Sequence, residues 1–140
     1  MIKGLAHVCL SALNLEATER FYSVGLGLKK AFDFIRNDRV IGFYYELPRN
    51  AYIEVFQRGE IDTKASSPIS HFCLEVEDID KVGARLTENG FEVTKKILGA
   101  DQSWQIWTVD PSGVRIEFHQ YTDRSSQRTG ENCILPSTIK

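Results

Sequence analysis

Apolar and polar residues alternate through residues 4–12, with Val8 and Leu10 set between His7, Cys9 and Ser11. A period of two marks a strand with one buried face. Asn14 follows as a helix N-cap. Leu15, Thr18, Phe21, Tyr22 and Val24 then recur at helical spacing until Gly25 and Gly27 stop the run. Residues 29–36, 39–47 and 51–57 read as three strands, separated by turns at Asn37-Asp38 and Pro48-Arg49-Asn50. The same order then returns. Residues 69–76 are a strand, and Asp78 caps a helix carrying Ile79, Val82 and Leu86 that Asn89-Gly90 ends. Strands are predicted near 92–98, 103–109 and 114–120, the last two joined by Asp110-Pro111-Ser112-Gly113.

The repetition extends to individual residues. His7-Val8-Cys9-Leu10 returns as His71-Phe72-Cys73-Leu74, and the segment Pro48 to Gln57 returns as Pro111 to Gln120 with Pro, Ile, Glu and Gln in register. Two weak copies are too few for a solenoid, so a pseudo-twofold domain is expected. The predicted fold class is α+β: two tandem βαβββ modules whose curled mixed sheets surround a cleft. A single domain spans 1–140, with modules at 3–57 and 69–120. Residues 58–68 are the linker, and 121–140 form a polar C-terminal tail that either wraps the body or frays.

Composition removes several classes of function. Of 140 residues, 42% are apolar and 26% charged, which excludes a disordered chain. The net charge of −2 gives no reason to expect nucleic acid or an anionic membrane as partner. No apolar run approaches the ~20 residues of a membrane span. Residues 1–7 lack a signal-peptide pattern, and three scattered cysteines do not suggest a disulfide scaffold, so a cytoplasmic location is expected.

Alternation also sorts the polar groups. With Val8, Leu10, Phe72 and Leu74 under the helices, His7, Cys9, Ser11, His71 and Cys73 face away. Ile53, Val55, Ile116 and Phe118 are helix-facing, so Glu54 and Glu117 join the histidines, together with Tyr52, Phe56, Arg115 and His119. Two imidazoles and two carboxylates suit a divalent cation, and they leave octahedral positions open for substrate oxygens. A single His or Glu on a strand is ordinarily a rim or solvated residue. The paired recurrence of His7/His71 and Glu54/Glu117 is what favours a metal site.

The segments Gly4-Leu5-Ala6-His7, Phe21-Tyr22 before Gly25-Leu26-Gly27, Tyr52-Ile53-Glu54, Ser70-His71 and Asp110 to Glu117 resemble the vicinal oxygen chelate superfamily over residues 3 to about 121. Within it, the His/Glu/His/Glu set is similar to glyoxalase I, the lactoylglutathione lyase. Epimerases of the superfamily usually carry Gln in place of Glu54. Its dioxygenases and fosfomycin-resistance proteins typically use two His and one Glu. The resemblance implies one divalent ion per site, with Ni, Zn or Co ahead of Fe or Mn, held by His7, Glu54, His71 and Glu117. It implies a lyase or isomerase that isomerises a small vicinal-oxygen substrate, such as a glutathione hemithioacetal, through a metal-bound enediolate, with Glu54 or Glu117 as base. It also implies a homodimer in which modules pair within or between chains.

Glyoxalases I commonly place an arginine where this sequence has Ser11, which turns attention to substrates without glutathione. Arg58 is the nearest replacement charge. The expected substrate-binding residues are Ser11, Gln105, Trp107, Arg115 and His119, with Gln105 and Trp107 assigned inward by resemblance to the family's apolar pocket. Cys9 and Cys73 are expected to be small buried hydrophobes. The cluster Glu75, Glu77, Asp78 and Asp80 reads as a solvated strand end and an acidic helix start. The rival functions are an epimerase or isomerase of sugar-like or hydroxy-carbonyl substrates, a non-catalytic ligand-binding protein of the bleomycin-resistance kind, and an Fe(II) dioxygenase.

Overall fold

The computed structural model describes residues 3–60 and 68–135. The chain divides into two compact units, residues 1–68 with 110–114, and residues 69–109 with 115–140. Each holds a four-stranded mixed sheet, so the α+β class and the two similar modules are as expected. The predicted linker 58–68 falls largely on residues 61–67, which lie outside the described residues.

In the first unit, β1 (His7–Ala12), β2 (Lys29–Arg36), β3 (Arg39–Leu47) and β4 (Ala51–Gln57) form a sheet of order β1-β4-β3-β2. β1 runs parallel to β4, and the other pairs are antiparallel. Asn37 and Asp38 both have positive φ, 50° and 57°. Two adjacent left-handed residues are what a tight hairpin requires. Gly42 permits a close approach: a Cβ there would lie 2.1 Å from the Val55 carbonyl oxygen and 2.8 Å from Phe56 Cδ1.

Asn14 caps α1 (Leu15–Glu19), its side chain accepting from the Ala17 amide at 2.9 Å. The predicted single helix is not uniform. Arg20–Gly25 continues as a π-helix, with the Leu26 amide donating to the Phe21 carbonyl at 3.0 Å. This wider turn buries Phe21 and Tyr22 side by side. Val24, which the helical period would bury, is instead exposed. Phe21, Tyr22, Phe43, Tyr45, Ile53 and Val55 are the core of this unit. The turn 110–114 belongs to the same unit, because Tyr22 Oη donates to Asp110 at 3.1 Å and the Leu13 amide donates to Ser112 at 3.0 Å. Burial pushes both the Tyr22 phenol and the Asp110 carboxyl upward, which keeps that pair protonated more readily than in water.

In the second unit, β5 (Phe72–Glu75), β6 (Ile97–Leu98), β7 (Trp104–Val109) and β8 (Arg115–Gln120) take the order β5-β8-β7-β6, again with the first pair parallel. Asp78 caps α2 (Ile79–Glu88), accepting from the Lys81 amide at 3.0 Å. That bond holds its carboxyl below the usual range. Asp78 therefore belongs to the solvated helix start expected for the acidic cluster. β7 and β8 each begin one residue later than predicted, while β5 and β6 are markedly shorter than the predicted 69–76 and 92–98. The segment before β6 donates from the Thr94 amide to the Trp107 carbonyl but receives the Trp107 amide on its side-chain oxygen, both at 2.9 Å. A side chain therefore replaces one rung of the ladder, and only Ile97–Leu98 remains strand. The segment that begins the C-terminal tail wraps its unit. α3 (Ser126–Thr129) follows a fully buried Ser125, whose hydroxyl donates to the Gln102 carbonyl at 3.1 Å. Among the described residues no helix is long and apolar enough to cross a membrane.

Candidate metal and substrate site

The two sheets carry the same chemistry at the same register. Cys9 lies opposite Glu54 on the β1–β4 pair, and Cys73 lies opposite Glu117 on the β5–β8 pair. On the next strand, Tyr44 is the partner of Glu54 and Trp107 the partner of Glu117. Partners in register share a face. Each unit thus places a histidine, a cysteine, a glutamate and a large aromatic residue on the side away from its helix.

Within the first unit, His7 Nε2 is 3.8 Å from Glu54 Oε2. The His7 ring lies 5.8 Å from that of Tyr44. Ser11 follows on the same strand face, half-buried. Five aromatic rings extend this face. Phe32 stacks on Tyr44 at 4.9 Å, Phe34 stacks on Phe56 at 4.6 Å, and Tyr52 sits 5.3 Å from Tyr44. Sequence reading named Tyr52 and Phe56 but missed Phe32, Phe34 and Tyr44. Register shifts after Lys30 and Phe34 break the simple alternation along β2 that would have revealed the first two.

Within the second unit, His71 Nε2 is 3.3 Å from Glu117 Oε2, and His119 Nε2 is 3.0 Å from Glu117 Oε1. Glu117 and His119 are both buried, at 7% and 8% exposure. The His119 contact is close enough for an ion pair yet off the line of a hydrogen bond, so Nε2 is a buried polar atom without a hydrogen-bond partner. Trp107 lies 4.8 Å from the His71 ring, and Arg115 covers Trp107 at 4.9 Å. Gln105 pairs with His119 across the ladder. Trp107, Arg115 and residues 90–94 also line a cavity of about 640 Å³.

Cys9 and Cys73 correct the expectation of small buried hydrophobes: both are exposed. They share the face of the glutamates, not the helix-side core. Although the residue as a whole is exposed, partial desolvation of its sulfur and a hydrogen bond to the neighbouring Glu54 carboxylate push the Cys9 thiol up to about 11. Burial and Glu117 push Cys73 up to about 12. At pH 8 only about one Cys9 in 10³ is then a thiolate, against roughly a quarter for a free cysteine of pKa ~8.5. Both should alkylate with iodoacetamide at least tenfold more slowly than exposed Cys133, as read by peptide mass mapping. Labelling should rise about tenfold per pH unit above pH 8 and level off only near pH 11 or beyond. Equal rates for all three cysteines at pH 8 would contradict this placement.

Among the described residues, the donors that lie close enough together to hold a cation are Cys73 Sγ, a Glu117 oxygen and a His119 nitrogen, within 4.8 Å of one another; of the four expected ligands this group contains Glu117 alone. Imidazole nitrogen and carboxylate oxygen sit side by side in each unit, donor types that suit a divalent cation.

A sequence model of the glyoxalase/bleomycin resistance protein/dioxygenase superfamily matches residues 4–118. The chain belongs to that superfamily. Its members usually bind a divalent metal. A glyoxalase family protein from Enterococcus faecalis is 27% identical, with a TM-score of 0.71 over 84% of this chain and 98% of that one. A lactoylglutathione lyase from Agrobacterium tumefaciens is 18% identical, with a TM-score of 0.65 over 85% and 94%. An antibiotic-binding protein from a Streptomyces species is also 18% identical, with a TM-score of 0.67 over 86% and 98%. The last two show a shared fold. Within the superfamily that fold serves enzymes and binding proteins alike.

Proposed function

We propose that this chain is a metal-dependent enzyme of the lactoylglutathione lyase type, moving a proton between adjacent carbons of a small substrate with two neighbouring oxygens. The observation that carries the reading is the duplicated His–Glu contact: His7 Nε2 lies 3.8 Å from Glu54 and His71 Nε2 lies 3.3 Å from Glu117, with each glutamate opposite a cysteine at the same place in its ladder. These four residues would hold one divalent ion, Ni, Zn or Co ahead of Fe or Mn. The ion would supply Lewis-acid stabilisation of the negative charge that builds on the two substrate oxygens. Glu54 or Glu117 accepts the proton from the first carbon as general base and returns it to the second, so the reaction is redox-neutral overall. Arg115, Trp107 and Gln105, with His119 beside Glu117, line the substrate side of the second module, and Ser11 that of the first.

A second reading keeps the chemistry but changes the substrate. Ser11 brings no charge for a glutathione carboxylate, and Phe32, Phe34, Tyr44, Tyr52 and Phe56 offer apolar contact instead. Reconstitution with Ni²⁺, Co²⁺ or Zn²⁺, followed by a turnover screen of glutathione hemithioacetals and of hydroxy-carbonyl compounds without glutathione, separates the two. Turnover with deuterium entering the product carbon from D₂O supports proton transfer. Tight binding of an aromatic ligand with no turnover in any metal form supports a binding protein.

The active form is proposed to be a cytoplasmic homodimer. If modules are exchanged, His7 and Glu54 of one chain serve with His71 and Glu117 of its partner. Mixing His7→Ala chains with His71→Ala chains should then restore a fraction of intact sites, measured as regained metal and turnover. No recovery on mixing, with each variant folded, would assign all four ligands to one chain.

A further inference from the structure

The two glutamates are not equivalently held. In the first unit Glu54 meets His7 at 3.8 Å, and the residue two positions on is Phe56. In the second unit the matching position is His119, whose Nε2 is 3.0 Å from Glu117 Oε1. Behind His119, Asp101 Oδ2 lies 3.9 Å from Nδ1. Asp101 is itself fixed: Gln127 Nε2 donates to it at 2.7 Å, the Ser103 amide at 3.2 Å and Gln105 Nε2 at 3.3 Å. Burial works against its charge, but these hydrogen bonds outweigh it and hold the carboxyl below its usual range. Gly99 leaves the room for this cluster, since a Cβ there would lie 2.2 Å from Gln105 Nε2 and 2.6 Å from Asp101 Oδ1. Gln127 is on α3, so the C-terminal segment closes the chain of contacts.

We propose that Gln127, Asp101 and His119 form a brace that orients the Glu117 carboxylate toward the metal, making the second module the tighter half of the site. The inference rests on the metal-site reading above. Groups that hydrogen-bond to a metal ligand fix its orientation, and losing them typically lowers affinity 10–100-fold. His119 Nε2 is 3.0 Å from Glu117 Oε1, within hydrogen-bonding distance though off its line, and the opposite oxygen, Oε2, is on the His71 side at 3.3 Å from its Nε2. His119 is thus a positioning residue. At the matching position of the first unit stands Phe56, whose side chain has no polar atom.

The test is the affinity of the full chain for Ni²⁺ and Co²⁺, measured by competition with a chromophoric chelator. His119→Ala should weaken both ions 10–100-fold and change the Co²⁺ visible absorption spectrum. His119→Gln, which keeps an amide donor, should recover most of the loss. Gln127→Ala should give a smaller loss in the same direction, and Cys133→Ser none. Thermal unfolding of the metal-free proteins identifies any variant whose fold is lost; if His119→Ala is one, His119→Gln and Gln127→Ala decide. Metal binding by wild type with His119→Ala within twofold of it overturns the brace and leaves the metal site standing. Failure of wild type to take up either ion overturns both.

Discussion

Glu117→Gln and Glu54→Gln should each lower turnover by roughly 10²–10⁴-fold, the usual weight of a general base. Glutamine keeps the shape of the side chain. It removes a negative ligand from the cation and cannot accept the proton. Cys9→Ala and Cys73→Ala sit across the ladder from the same two carboxylates, so they perturb the same surroundings without touching the base. Their turnover should stay within severalfold of wild type. Initial rates at saturating metal, on the substrate found in the reconstitution screen, make the comparison. Similar mild losses in all four variants would count against proton transfer at these carboxylates.

Phe21→Ala should destabilise the protein by about 3–5 kcal/mol. Phe21 is completely buried, packed edge-on to Tyr22 at 4.9 Å, and Tyr22 in turn lies 5.5 Å from Tyr45. Truncation leaves a cavity among rings that cannot collapse without moving β3. A loss of that size is a large part of the 5–15 kcal/mol typical of a whole domain. It also reaches the site, because this core supports the buried faces of the strands whose other faces carry His7 and Glu54. The midpoint of guanidinium unfolding should fall with little change in slope. A loss below about 1 kcal/mol would mean that the π-helical turn is not a rigid part of the core.

Alternation and capping were enough to read most of this fold. Val8, Leu10, Ile53 and Val55 are on the helix side as their period requires, and Asn14 and Asp78 cap where a short polar acceptor precedes an apolar run. Parallel pairing sets Cys9 opposite Glu54 and Cys73 opposite Glu117, so the repeat puts each glutamate at an equivalent place, within 3.8 Å of His7 and 3.3 Å of His71. What escaped depends on contacts distant in sequence or on local irregularity. The π-helical turn has the same apolar spacing as an α-helix over so few residues. Thr94 takes over a backbone rung with its side chain, which no periodicity records. Asp101, 3.9 Å from His119, takes hydrogen bonds from Gln127 on the C-terminal segment and from the Ser103 amide, so a polar tail without a period concealed a structured segment. The cysteines were assigned by residue type, although their own strand parity set them beside the glutamates.

Metal stoichiometry tests the central claim most directly. Wild-type protein, loaded with Ni²⁺ or Co²⁺ and freed of excess ion, should retain one ion per chain by elemental analysis. His7→Ala, Glu54→Gln, His71→Ala and Glu117→Gln should each lose most of it while remaining folded. Two ions per chain, or full occupancy in His7→Ala and Glu54→Gln, would show that the first module contributes no ligands and would contradict the four-residue site.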